Sequence, residues 1–123
     1  MAKKVLIVDD SKAMRLIIRR SLRQAGFDDL EVREADNGIA ALEALEQSIP
    51  DLVLSDWNMP EMTGIELLRR ISVGRLKTNF GFITTESTPE MRDVAAAAGA
   101  LFLIAKPFTA ESLHTALTPW LTG

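Results

Sequence analysis

The side chains best suited to chemistry in this chain are carboxylates that end apolar runs. Asp9-Asp10 closes the run at residues 5–8, and Asp56 closes the run at residues 52–55 shortly before Pro60. If the three converge, two ionised carboxylates ~4 Å apart already repel by about 4 kcal/mol at an effective dielectric of ~20. Either one protonates or a cation binds. The available donors are hard oxygens with no cluster of His or Cys, which favours a magnesium-like ion that takes one or two carboxylates and keeps open positions for phosphate oxygens. Three carboxylates, one dication and Lys106 cancel formally. Thr84 or Thr85, with Lys106, would offer a neutral and a charged donor to such a group, the electrostatic stabilisation that phosphoryl transfer mainly requires.

Convergence needs a fold that brings the ends of several strands to one edge. Residues 4–8, 52–55, 81–85 and 101–105 read as strands, the central ones buried on both faces, and 30–35 as a charged edge strand. Helices fit between them. Residues 11–24 place Met14, Ile17, Ile18, Leu22 and Ala25 on one stripe, with Gly26 as the stop. Ile39, Leu42 and Leu45 line a second helix, Ile65, Leu68 and Ile71 a third. Ser87-Thr88-Pro89-Glu90 carries helix-start chemistry for a fourth running to Gly99. Thr109 caps a fifth with Leu113, Ala116 and Leu117 inward, and Pro119 leaves open whether it continues through Trp120 and Leu121. Five strands alternating with five helices on short connections make a doubly wound parallel α/β sheet. Its carboxyl edge receives Asp9, Asp10, Asp36, Asp56, Thr84 or Thr85, and Lys106, where open α/β sheets place their ligands.

Composition narrows the function. With 123 residues the chain forms one domain, residues 1–123. The absence of cysteine excludes disulfides and thiol catalysis and suits a reducing cytoplasm. No run reaches the ~20 apolar residues that span a bilayer. The net charge of -3 argues against a nucleic-acid partner, and Arg15, Arg19, Arg20 and Arg23 read as the solvated face of the first helix. Asp9-Asp10 alone would read as a helix-terminal charge, but with Asp56 and Lys106 on the same edge the metal site is favoured. Met59 and Met62 read as packing, Trp57 as packing or an optical reporter, and His114 as a surface residue. Leu16 falls off the inward stripe and is read as an exposed docking residue beside the acidic edge.

Four blocks carry a family resemblance: residues 4–11 (KVLIVDDS), Ser55-Asp56-Trp57-Asn58-Met59-Pro60 with Thr63-Gly64, Ile83-Thr84-Thr85-Glu86, and Lys106-Pro107-Phe108-Thr109. In this order and spacing the chain resembles the response-regulator receiver domains along its whole length, most of all the single-domain chemotaxis type without an output domain. The resemblance implies a flavodoxin-like strand order 2-1-3-4-5. It also implies Asp56 as acceptor of a phosphoryl group from a phosphohistidine on a sensor histidine kinase or histidine phosphotransfer protein. Mg2+ would be held by Asp10, Asp56 and the Asn58 backbone carbonyl, with Asp9 acting through water. Block spacing selects Thr84 as the switch hydroxyl, and Lys106 pairs with the acidic cluster. A cis Lys106-Pro107 peptide and a short-lived phosphoryl state tuned by Asn58 and Glu86 are further implications. Such a protein catalyses at most its own phosphorylation and dephosphorylation, works in the cytoplasm as a monomer or weak dimer, and needs neither membrane nor nucleic acid.

One position departs from the family. Three residues before Lys106, where an aromatic is usual, stands Leu103, with Phe102 beside it and expected on the opposite face. That leaves the route of the signal open and lends some support to a receiver that acts by contacts alone. A hydrolase using Asp56 as nucleophile would need a second carboxylate two residues on, where Asn58 stands. A flavin module would meet Asp9 and Asp10 where its phosphate wants donors.

Overall fold

Val5, Leu6, Ile7 and Val8 are all fully buried, and so are Leu52 and Val53. Consecutive buried residues in a strand require a layer of helix on each face. The computed structural model, which describes residues 2–121, supplies both layers. The elements are β1 (Lys3–Val8), α1 (Lys12–Gln24), β2 (Leu30–Ala35), α2 (Gly38–Gln47), β3 (Leu52–Ser55), α3 (Gly64–Val73), β4 (Asn79–Thr84), α4 (Pro89–Ala98), β5 (Leu103–Ala105) and α5 (Ala110–Leu121). The sheet is parallel throughout, in the order β2-β1-β3-β4-β5 expected from the resemblance.

Strand alternation divides the core in two. Leu6, Val8, Val53, Phe80 and Phe82 pack under α2, α3 and α4, against Ala41, Leu45, Leu67, Leu68 and Ala95. Val5, Ile7, Leu54, Ile83 and Ile104 pack under α1 and α5, against Ile18, Leu22, Leu113 and Leu117. Each buried Val, Leu, Ile or Phe among them contributes about 1.5–3 kcal/mol relative to exposure. Among the described residues no helix is long and apolar enough to cross a membrane.

Side chains start the helices. Ser11, Asn37, Thr63 and Thr88 each accept a hydrogen bond from the backbone N–H three residues on. At the fifth helix the Thr109 hydroxyl accepts from Ser112 N as expected. Within the helix-start block before α4 the cap is Thr88 rather than Ser87, with Pro89 at the first helical position and Glu90 in the first turn.

Several expectations are corrected. The fourth strand spans Asn79–Thr84 rather than 81–85, and Thr85 stands exposed in a bend outside it. The fifth strand begins at Leu103 because Leu101 and Phe102 lie in the turn that leaves α4. Ile17 and Ile39, read as inward, are about half exposed: the inward stripes of their helices are narrower than the sequence spacing suggests. Helix α5 runs through Pro119 to Leu121. Proline this close to a helix end removes only one backbone bond, and buried Leu121 anchors the last turn. Arg33 does more than sit tolerated on an edge, since its guanidinium donates to Ala44 O at 3.0 Å and Ser48 O at 2.6 Å, closing the carboxyl end of α2.

Candidate functional site

Parallel pairing places the strand ends that carry the chemistry side by side. Val8 is level with Ser55, and the Asp56 N–H donates to Val8 O at 2.9 Å. Thr84 is level with Ala105, and the Lys106 N–H donates to Thr84 O at 2.9 Å. Asp9, Asp56, Thr84 and Lys106 therefore meet at one edge.

Asp9 is 2 % exposed, and a buried carboxylate needs donors. Its Oδ1 accepts from Ser11 N at 2.9 Å and its Oδ2 from Lys106 Nζ at 3.0 Å. Asp56 accepts from Trp57 N at 2.8 Å through Oδ1, while Oδ2 lies 3.6 Å from the same ammonium. Asp10 is exposed and completes the cluster: one carboxylate oxygen from each of Asp9, Asp10 and Asp56 lies within 4.8 Å of the others. One ammonium cannot neutralise three carboxylates. Burial pushes the Asp56 carboxyl above its ordinary range; Lys106 opposes this, Asp9 adds to it, and the Trp57 N–H and the Thr84 hydroxyl pull it back down.

Two further groups shape the edge. Thr84 is fully buried, and its hydroxyl oxygen accepts from Glu86 N at 3.1 Å, which leaves the hydroxyl proton to be donated. Gly64 opens α3 directly behind Asp56: a Cβ there would lie 2.1 Å from the Asp56 carbonyl oxygen and 2.7 Å from the Phe82 ring. Any larger residue would drive the helix off the site. The Asn58 side chain turns to Glu86, donating to Oε1 at 2.8 Å and linking the loops after β3 and β4. The Lys106-Pro107 peptide is cis.

The donor set suits a hard divalent cation. It is all oxygen and carries an excess of negative charge over Lys106. His114 lies elsewhere, half-stacked on Phe27 with Nδ1 2.9 Å from Ala25 O, as a surface histidine would. Trp57 is packed on Phe82 with ring centroids 4.8 Å apart, and Met59 and Met62 are core residues. Leu16 is 48 % exposed, as read.

Leu103 and Phe102 do take opposite faces of the sheet. The Phe102 ring occupies the space that a side chain at Gly81 would need, lying 2.2 Å from a Cβ built there. Leu103 sits level with Phe82, and its carbonyl accepts from Arg92 Nη1 of α4 at 3.2 Å.

The sequence reading missed Arg15 and Arg19. Instead of a solvated face, both point at Glu34 of β2, Arg15 Nε at 2.7 Å and Arg19 Nη1 at 3.1 Å, while Arg20 and Arg23 are exposed as expected. An acidic residue near the end of an edge strand was the available signal.

Comparison with known proteins agrees with this geometry. The family model described as response regulator receiver domain matches residues 5–118. The chain is 42 % identical over 116 residues to the chemotaxis protein CheY-3 of Vibrio cholerae, covering 93 % of this chain and 88 % of that one. It is 44 % identical over 112 residues to the chemotaxis protein CheY of Pseudomonas aeruginosa, covering 89 % of each. The solved structure of Vibrio cholerae CheY4 superposes with a TM-score of 0.86 at 35 % identity, over 98 % of this chain and all of that one. A match that spans nearly the whole sheet, from relatives above 40 % identity, makes this chain a member of the response-regulator receiver domain family.

Proposed function

We propose that Asp56 is a phosphoacceptor. A carboxylate oxygen of Asp56 forms a P–O bond to the phosphorus of a phosphohistidine as the P–N bond breaks, and the donor imidazole leaves with a proton from solvent. The donor is a sensor histidine kinase or a histidine phosphotransfer protein. The observation that carries this reading is the meeting of Asp56 with Asp9, Asp10 and the Lys106 ammonium at the end of β3.

Asp10 and Asp56, with the Asn58 carbonyl and Asp9 through water, would hold Mg2+. When bound, it neutralises phosphoryl oxygens and the excess carboxylate charge. Lys106, 3.6 Å from Asp56, supplies a second positive charge to the incoming group. The Thr84 hydroxyl offers a neutral donor. Exchanging the Asp56 carboxylate for an acyl phosphate adds about one negative charge, to which Thr84 and Lys106 respond by moving. The change in population that follows alters the surface offered to a downstream target. Asn58 and Glu86, joined at 2.8 Å over the site, support a short-lived phosphoryl state. The names of the relatives support a chemotaxis-type pathway.

Intact mass after addition of acetyl phosphate or phosphoramidate tests the reading. A gain of one phosphoryl group that needs Mg2+ and vanishes in Asp56→Asn is expected. No gain under conditions that trap short-lived adducts would refute it and favour a receiver acting through contacts alone.

A further inference from the structure

We propose that Arg15 is a positioning residue for the metal-binding carboxylates; this deepens the Mg2+ reading above and rests on it. Arg15 Nη1 donates to the Asp9 backbone carbonyl at 2.6 Å, and Nε donates to Glu34 Oε1 at 2.7 Å. The side chain is only 13 % exposed. A guanidinium presents donors in a rigid planar fork, so two bonds in fixed directions set where it stands. Glu34 is in turn gripped by Arg19 one turn further along α1, at 3.1 Å. Strand β2, rather than solvent, thus locates the guanidinium.

The consequence falls on the Asp9-Asp10 peptide. The Asp9 N–H donates to Ala35 O at 3.1 Å, its Oδ1 takes Ser11 N, its Oδ2 takes Lys106, and its carbonyl takes Arg15. Every polar atom of Asp9 is engaged. Asp10, by contrast, makes no side-chain hydrogen bond or ion pair among the described residues, yet offers an oxygen within 4.8 Å of the other two carboxylates. Its aim depends on the plane of the peptide that precedes it. Arg15 holds that plane through the Asp9 carbonyl.

The charge of Arg15 and its hydrogen bonds make opposite demands, which makes the role testable. A cation beside the site repels a dication, so if only its charge mattered, Arg15→Ala would tighten Mg2+ binding. Loss of a group that orients a metal ligand weakens binding instead, by about tenfold at the lower end of such effects. The experiment is calorimetric titration of MgCl2 into the folded protein at fixed ionic strength, with urea unfolding in EDTA run in parallel to separate affinity from stability. Arg15→Ala is expected to raise the Mg2+ Kd about tenfold. Arg15→Lys, which keeps the charge but loses the fork, raises it in the same direction and carries the test should Arg15→Ala not fold. Glu34→Gln raises it less, and the double variant Arg15→Ala/Glu34→Gln is no weaker than Arg15→Ala alone, because the two act through one clamp. Unchanged or tighter binding in Arg15→Ala or Arg15→Lys, with the wild type binding normally, overturns the positioning role. Absence of Mg2+ binding by the wild type overturns the metal reading itself.

Discussion

Replacing Asp56 by asparagine should make the metal-free protein more stable. At an effective dielectric of ~20, the Asp56 oxygen 3.6 Å from Lys106 gains about 4.6 kcal/mol, while each oxygen of Asp9 and Asp10, up to 4.8 Å away, costs about 3.5 kcal/mol. Lys106 thus outweighs Asp9 taken alone, and burial of the Asp56 carboxyl, the largest cause of its raised pKa, tips the balance against the charged form. Solvent around exposed Asp10 screens its repulsion, and asparagine can still accept from Trp57 N, so the expected gain is about 1–2 kcal/mol at pH 7 in EDTA. With an m-value of about 2 kcal/mol/M, the urea midpoint rises by about 0.5–1 M. The sign with pH follows from the raised pKa of Asp56. Between the ordinary carboxylate range and that raised value, the folded wild type binds more protons than the unfolded chain. Its stability therefore falls as pH rises through this window. The advantage of Asp56→Asn is full above it and shrinks below it. Added Mg2+ stabilises the folded wild type by mass action and narrows the gap from the other side. Equal or lower stability of Asp56→Asn at pH 7, or a gap that does not narrow on acidification, would refute the charge argument.

Other substitutions probe different links in the chain of reasoning. Lys106→Gln removes the counter-charge of a carboxylate that is 2 % exposed, so stability at pH 7 in EDTA should fall by about 3 kcal/mol in urea unfolding, and an unchanged midpoint would refute the pairing argument. Gly81→Ala, although alanine is the better strand former, should cost about 1–3 kcal/mol because the Phe102 ring lies 2.2 Å from the new Cβ. Phe102→Leu in that background should restore part of the loss, and a neutral Gly81→Ala would show that the ring is free to move. Leu16→Asp, at a side chain 48 % exposed, should slow phosphoryl transfer from the partner protein while leaving labelling by acetyl phosphate unchanged. Equal slowing of both would remove Leu16 from the docking surface.

Much of the fold was legible because its signals are local. Short apolar runs, closed by aspartate, threonine or lysine, mark the central strands whose ends must share one edge once the crossovers are right-handed. The helix-start chemistry at residues 87–90 and the Thr109 cap act within three residues of themselves, whereas the caps Asn37 and Thr63 emerged with the structure. Asp9, Asp10, Asp56 and Lys106 could be placed at one edge for the same reason, since each stands at or just past a strand end, whereas Thr84 was chosen over Thr85 only by the family resemblance.

Tertiary structure decided what depends on the element lying opposite. Arg15 and Arg20 look alike in sequence, yet one faces Glu34, 19 positions away on β2, and the other faces solvent. Ile17 has the spacing of a core residue, but no element covers it. Pro119 carries a local signal to end a helix, and burial of Leu121 outweighs it. Gly81 matters through Phe102, a residue of the turn before the neighbouring strand. Sequence by itself determined that five strands alternate with five helices, the Thr109 cap and the acidic edge, because hydrophobic period and turn chemistry act over a few residues. Which arginine steadies that edge and which aromatic fills the gap beside Gly81 were decided only when distant elements packed, because hydrogen bonds and close contacts depend on distance in space rather than along the chain.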